Sequence, residues 1–395
     1  MKKISQDSIY IGVDDLSIDL FESQYKVPEG ISYNSYIIRD SKTAVLDTVD
    51  ARKGEEWKAE IEAAFGGTDS PDYLVIHHLE PDHSGLISWA MERFPQMQLV
   101  AGAKAIQMLP QFCNDSFAGR TRAMKEGEIL ELGNHSLQFF SAPMVHWPEV
   151  MVSYDAAEKA LYSADAFGRF GALSRCGFYA SEYGDWQGEA GRYYFNIVGK
   201  YGGPVTSLLN KAKNLEIKSI RALHGPIIDA DVEKYIELYA AWAACKPQED
   251  CVLIACASIH GGTMAAAREL EAMIKSAGAE ARLVDLCRSD FSENLAEAFR
   301  CSKLVLAACS YDAGLFTPMY NYLHLLQAKC LSNRRIGIIE NGSWAPVAGR
   351  LMKEMAGELK GVEIVEPIVT IRSRMQDTDR AALQALAEAM LACPR

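Results

Sequence analysis

No two of the ten cysteines stand in Cys-x-x-Cys spacing, so the chain carries no signature of a zinc ribbon or a thioredoxin-like redox pair. The cysteines are scattered through strand-like and helix-like stretches. They are expected to be reduced, mostly buried thiols of a cytoplasmic protein. An apolar run of about eighteen residues is also missing, so no membrane-spanning helix is expected. The first residues, Met1-Lys2-Lys3-Ile4-Ser5-Gln6-Asp7, are followed by no apolar core, and a secretory signal is not expected. Positive charge is in short supply: 40 Lys and Arg face 52 Asp and Glu, a formal net charge of −12. That balance argues against nucleic acid or an anionic membrane as the partner. With 49% hydrophobic and only 23% charged residues the chain is a folded protein, and 395 residues call for two domains.

What stands out is the stretch His78-Leu79-Glu80-Pro81-Asp82-His83, which packs two imidazoles and two carboxylates into six residues. It follows the apolar run Tyr73-Leu74-Val75-Ile76, which reads as a buried strand, and precedes a helix expected over 86–94. Neutral imidazole with ionised carboxylate suits iron, manganese or zinc, and the absence of thiolate argues against a closed structural zinc site. Three more residues of the same chemistry stand at the ends of strand-like runs: His146 after 137–145, Asp165 after 160–164 and His224 after 219–223. Strand ends on one side of a layered domain can converge on one site. Four histidines and three carboxylates are the right number for two metals sharing a bridge. His77, one residue out of phase, reads as structural, and so does His135.

The spacing His-x-Glu-x-Asp-His, then a distant His, an Asp and a His, resembles the metallo-β-lactamase superfamily. Glu80 in place of that superfamily's second histidine resembles its flavodiiron branch, the A-type flavoproteins. Local wording agrees at His146-Trp147-Pro148-Glu149, Ser163-Ala164-Asp165-Ala166-Phe167-Gly168, Tyr193-Tyr194-Phe195-Asn196-Ile197 and Leu223-His224-Gly225-Pro226. The resemblance covers most of residues 1–245. It implies that His78, Glu80 and His146 hold one iron, that Asp82, His83 and His224 hold the other, and that Asp165 bridges them. Trp147 and either Tyr193 or Tyr194 are the candidates for lining a gas pocket beside the metals.

Around residues 245–250 the pattern turns polar, with Pro247, and a new strand begins at once. The boundary is placed after 247, giving domains 1–247 and 248–395. From there strands and helices alternate regularly, which implies a doubly wound parallel sheet. Ligands of such sheets bind beyond the carboxyl ends of the strands. The first such loop is Ser258-Ile259-His260-Gly261-Gly262-Thr263, a small anion cradle at a helix start, suited to a terminal monophosphate. It lacks the Gly-Lys-Ser/Thr of a triphosphate loop. Ser310-Tyr311-Asp312-Ala313-Gly314-Leu315 and Asn341-Gly342-Ser343-Trp344-Ala345 follow later strands and offer aromatic rings for stacking. The three loops resemble those of flavodoxin and imply bound FMN, although Cys309-Ser310 stands where Pro-Thr is commoner.

The expected architecture is therefore an αββα metallo-β-lactamase-like sandwich followed by a flavodoxin-like domain. The resemblance implies an oxidoreductase that passes electrons from a separate donor, such as a rubredoxin or a flavin reductase, through FMN to two non-haem irons. Dioxygen would go to water, or nitric oxide to nitrous oxide. The implied assembly is a head-to-tail homodimer, or that dimer doubled to a tetramer. The rival readings are a dinuclear metal hydrolase and a simple electron carrier. Glu80 and the flavodoxin-like half argue against the first, the complete ligand set against the second.

Overall fold

The computed structural model describes every residue except 67, 68, 114, 183 and 393–395. The chain divides into two compact units, Met1–Ala243 and Ala244–Arg395.

Two sheets form the centre of the first unit. The larger runs in chain order, β1 (Lys2–Lys3), β2 (Ser8–Tyr10), β3 (Tyr36–Ile38), β4 (Ala44–Leu46), β5 (Tyr73–Ile76), β6 (Gln98–Gly102) and β7 (Thr121–Met124). Its first four strands are antiparallel neighbours, and β4 through β7 are parallel. The smaller sheet is β8 (Ile129–Glu131), β9 (Ser136–Ser141), β10 (Met151–Asp155), β11 (Ala160–Tyr162) and β12 (Ser219–Arg221). It is antiparallel up to β11, which β12 joins in parallel.

Alternation along the strands sends Tyr36, Ile38, Leu46, Val75 and Val100 of one sheet into the same core as Leu137, Phe139, Met151 and Tyr162 of the other. Opposite-phase residues Ile37, Val45, Leu74 and Leu99 are equally buried, so the larger sheet is covered on both faces. Helices Gly54–Ala64 and Ile87–Arg93 pair through Trp57 against Trp89, with Phe65 against Phe94 just beyond their ends. This is the αββα sandwich.

The second unit is one sheet in the order β14-β13-β15-β16, with β17 and β18 both pairing to β16, all in parallel. These strands are β13 (Glu249–Ala257), β14 (Glu280–Asp285), β15 (Cys301–Tyr311), β16 (Arg335–Asn341), β17 (Glu363–Ile364) and β18 (Val369–Ile371). The order 2-1-3-4-5 is that of the flavodoxin-like doubly wound sheet. The fifth strand, at the edge, is divided into β17 and β18 around Pro367, which has no N–H to donate to the ladder.

The expectation that all cysteines are free thiols is corrected. Cys251 and Cys301, buried at the starts of adjacent strands β13 and β15, are joined by a disulfide. Parallel register brings their α-carbons to 5.1 Å, inside the bridging range, although fifty residues separate them in sequence.

Candidate functional site

At one edge of the sandwich the chain leaves β5, β9, β11 and β12 into loops that meet. The first loop carries His77 and His78, then turns at Glu80 into the single helical turn Pro81–Ser84, which holds Asp82 and His83. Proline at its first position needs no N–H there, and the His83 and Ser84 N–H groups both bond the Glu80 carbonyl. The other three residues stand farther along their loops than expected. Strand β9 ends at Ser141, β11 at Tyr162 and β12 at Arg221, so His146, Asp165 and His224 sit on loop backbone rather than at strand ends. The loops are sewn together: Met151 N–H bonds the His77 carbonyl, and Asn34 N–H bonds the Leu223 carbonyl.

All seven predicted residues converge, in two groups. Nε2 of His78 lies 3.2 Å from Glu80 Oε2 and 3.4 Å from Asp165 Oδ2. His146 Nε2 is 3.0 Å from Glu80 Oε2 and 3.1 Å from Asp165 Oδ2. In the second group His83 Nε2 is 3.5 Å from Asp82 Oδ1 and 3.2 Å from Asp165 Oδ1, and His224 Nε2 is 3.3 Å from Asp82 Oδ2. Within each group the candidate ligand atoms lie within 4.8 Å of one another. Asp165 faces each group with a different oxygen.

The chemistry of this pocket calls for cations. Asp82 Oδ1 and Oδ2, Asp165 Oδ1, His83 Nε2 and His224 Nε2 are buried without a hydrogen-bond partner, a costly arrangement for a protein alone. Burial alone would lower the pKa of His78, yet Asp165, Glu149 and Glu80 outweigh it and hold the imidazole well above its ordinary value. Burial likewise opposes, but does not prevent, the rise of His146 to about 9 caused by Asp165 and Glu80. Glu80 is pulled down to about 2, its burial outweighed by His146 and His78. Imidazoles that hold protons only because carboxylates surround them will exchange those protons for metal ions.

Partners behind the candidate ligands were not legible in the sequence. His78 Nδ1 is bonded to Glu149 at 2.7 Å, and His224 Nδ1 to the Ser32 carbonyl at 2.7 Å, which turns each Nε2 into the pocket. Glu149 lay in a quoted motif without a role; a carboxylate buried in an apolar stretch was its only signal. His77 is structural, bonded to Asp47 and Ser153 and stacked on Phe139 and Tyr162. His135 bonds Asp155 at 2.8 Å.

Trp147 meets the His78 ring edge-on at 5.2 Å between centroids. Tyr193 lies 5.7 Å from His224, and its buried hydroxyl has no partner among the described residues. Of the two tyrosine candidates Tyr193 is the one beside His224, whereas Tyr194 turns away. Its ring packs on Tyr239, Trp242 and Phe195 in a separate aromatic cluster, because consecutive helical residues point in different directions. An opening of about 200 Å³, lined by Phe21, Glu22, Tyr33, Arg52, Glu80 and Asp82 among others, reaches two of the candidate ligands.

In the second unit a cavity of about 340 Å³ lies beyond the carboxyl ends of β13, β15 and β16. All residues predicted in the three loops line it except Gly261, Gly314 and Leu315, and Cys309, Val347 and Ser373 join them. Gly314 and Leu315 turn back to pair with Tyr311 and Ser310 through a two-residue turn in which Asp312 and Ala313 both have positive φ. Gly261 has φ +85° and carries no side chain to present. Ser258 Oγ accepts the Gly261 N–H at 3.1 Å, which shapes the first loop. Trp344 is 83% exposed at the cavity mouth. Cavity, helix start and the exposed rings of Tyr311 and Trp344 fit a flat ring system ending in an anion.

A dinuclear-type pocket in an αββα sandwich, joined to a flavodoxin-like sheet, defines a two-module class of protein. Residues 31–225 match the family described as ODP family beta lactamase. A nitric oxide reductase of Moorella thermoacetica is 30% identical over 377 residues, covering 93% of this chain and 92% of that one. Diflavin flavoprotein A 1 of Nostoc sp. is 28% identical over 97% of this chain, and the anaerobic nitric oxide reductase flavorubredoxin of Vibrio vulnificus is 31% identical over 78%. Those two are longer proteins, of which the matches cover 66% and 63%. Among solved structures, rubredoxin oxygen:oxidoreductase of Desulfovibrio gigas superposes with a TM-score of 0.91 at 24% identity, covering 98% of this chain and 97% of that one. The flavodiiron protein of Giardia intestinalis gives 0.88 at 23%, covering 98% and 95%. The chain belongs to the flavodiiron protein family.

Proposed function

We propose that the protein is an oxidoreductase that uses FMN and a non-haem iron pair to reduce dioxygen to water or nitric oxide to nitrous oxide. Electrons would come from a separate donor, a rubredoxin or a flavin reductase. The observation that carries this reading is the pair of buried ligand groups sharing Asp165, with Glu80 among them. His78, Glu80 and His146 would hold one iron, Asp82, His83 and His224 the other, and Asp165 would bridge. The residues of the second-unit cavity would hold FMN. Iron held by these residues would supply the redox chemistry that reduces a diatomic gas.

Each residue has a separable part in that chemistry. Glu80 offers a hard, anionic oxygen where a histidine would suit zinc equally well, and so favours iron. Glu149 and the Ser32 carbonyl fix the tautomers of His78 and His224. Trp147 and Tyr193 pack against His78 and His224, and the Tyr193 hydroxyl, without a partner among the described residues, could donate a hydrogen bond to a polar atom of the substrate. The proposed assembly is a head-to-tail homodimer, or that dimer doubled.

The test is to quantify iron and FMN in purified protein, reduce it without oxygen, and mix it with dioxygen or nitric oxide. Two irons and one FMN per chain, with flavin reoxidised by either gas only when metal is present, support the reading; the faster gas names the substrate. Zinc in the pocket would replace the reading with that of a metal hydrolase. Flavin that reoxidises equally without metal would leave an electron carrier.

A further inference from the structure

We infer that the loop Arg372-Ser373-Arg374 is a specificity element of the flavin site, selecting a flavin that ends in a phosphate over one that ends in a hydroxyl. This rests on the flavin reading above.

The loop follows β18 and is built into the cavity wall through its middle residue. Asn341 holds Ser373 at both backbone groups: its Nδ2 donates to the Ser373 carbonyl at 2.8 Å, and its Oδ1 accepts the Ser373 N–H at 3.0 Å. Ser373 in turn rests on the first turn of helix Gly262–Ser276, so closely that a β-carbon on Gly262 would lie 2.2 Å from the Ser373 carbonyl oxygen. The loop therefore sits against the anion cradle rather than elsewhere on the rim.

The cradle itself is short of charge. No lysine or arginine is among the described residues that line the cavity; its polar groups are hydroxyls, amides, the Cys309 thiol, His260 and, on the second loop, the Asp312 carboxylate. Thr263 is 2% exposed and lines the cavity, yet its hydroxyl has no hydrogen-bond partner among the described residues, so it is free for an incoming acceptor. Neutral donors bind a phosphate but leave its charge uncompensated. Arg372 and Arg374, one on each side of Ser373, are exposed and form no ion pair with a described carboxylate. Neither arginine lines the cavity, but both flank Ser373, which does, and so can bring positive charge to a cradle that has no cation of its own.

The test measures FMN and riboflavin binding to the full chain stripped of flavin, by quenching of flavin fluorescence at low and high salt. The variants are the double change Arg372→Ala/Arg374→Ala and its charge-keeping counterpart Arg372→Lys/Arg374→Lys. For exposed charges the expected result is a roughly tenfold loss of FMN affinity in the alanine variant at low salt. The loss should fade at about 0.5 M salt, where the charges are screened. Riboflavin affinity should not change, and the lysine variant should recover most of the FMN affinity. Equal loss for both flavins would make the loop purely structural and overturn the inference, as would unchanged FMN affinity. A wild-type chain that binds neither flavin would overturn the flavin reading, and this inference with it.

Discussion

The Glu149 carboxylate accepts a hydrogen bond from His78 Nδ1 at 2.7 Å and another from Leu79 N–H at 3.0 Å, so one buried side chain fixes both the ring and the backbone of the ligand loop. A metal-binding histidine oriented by a carboxylate is a stronger ligand than a free one, and loss of such a partner commonly costs ten- to a hundredfold in metal affinity. Glu149→Ala is therefore expected to lose about 10–100-fold in affinity for the first metal, with FMN content unchanged. Metal content after graded chelation measures this. Metal retention equal to the wild type would mean that Glu149 serves the fold alone.

Asp165 gives one oxygen to each ligand group, and both groups lose a member if it is removed. Asp165→Ala should abolish the metal pair and leave flavin bound, because the cavity for the ring lies wholly in the other unit. Paired iron and flavin analysis of the variant decides it. An unchanged two-metal content would remove Asp165 from the bridging position.

The parts of this architecture that repeat locally could be read directly. Strand β5 and the His78–His83 stretch lie within one window, and the alternation after residue 248 follows from short apolar runs separated by helical periods. What could not be read depends on contacts distant in sequence. Glu149 meets His78 across 71 residues, and Ser373 meets Asn341 across 32. No local pattern encodes either. Tyr193 and Tyr194 look equivalent in a row of aromatics; only the helix turn decides that one faces His224 and the other Tyr239. The Cys251–Cys301 bridge is likewise a product of strand register.

The metal-free protein should be most sensitive to alkali. His146 is raised from 6.5 to about 9 in the folded chain, with burial opposing and Asp165 and Glu80 outweighing it. Below about pH 6.5 the ring is charged in folded and unfolded chains alike, and its stabilisation is complete. As pH climbs through 9 that stabilisation is lost, on the order of 1–3 kcal/mol for a coupled cluster. Glu80, lowered to about 2, adds nothing to this slope, since its contribution is complete above about 4.5 and fails only as pH falls through 2. Thermal melts of chelated protein should show Tm falling from pH 6.5 to 9. Metal-loaded protein should lack this decline, because its ligands are already deprotonated. Identical slopes with and without metal would show that His146 is not held by the carboxylate cluster.

Gly262 offers a test confined to the second unit. A β-carbon there would lie 2.2 Å from the Ser373 carbonyl and 3.3 Å from Asn341 Nδ2, and the nearer atom is backbone that cannot swing aside. Gly262→Ala must push the 372–374 loop off the helix start or shift the helix start itself, at a cost of about 1–3 kcal/mol. Either movement opens the cradle in front of Thr263. The variant should fold, keep its metals and release FMN on dilution, at salt concentrations where the wild type retains it. Flavin and metal content after gel filtration separate the outcomes. Loss of both cofactors would indicate general unfolding, whereas retention of FMN would show that the cradle tolerates displacement of its neighbouring loop.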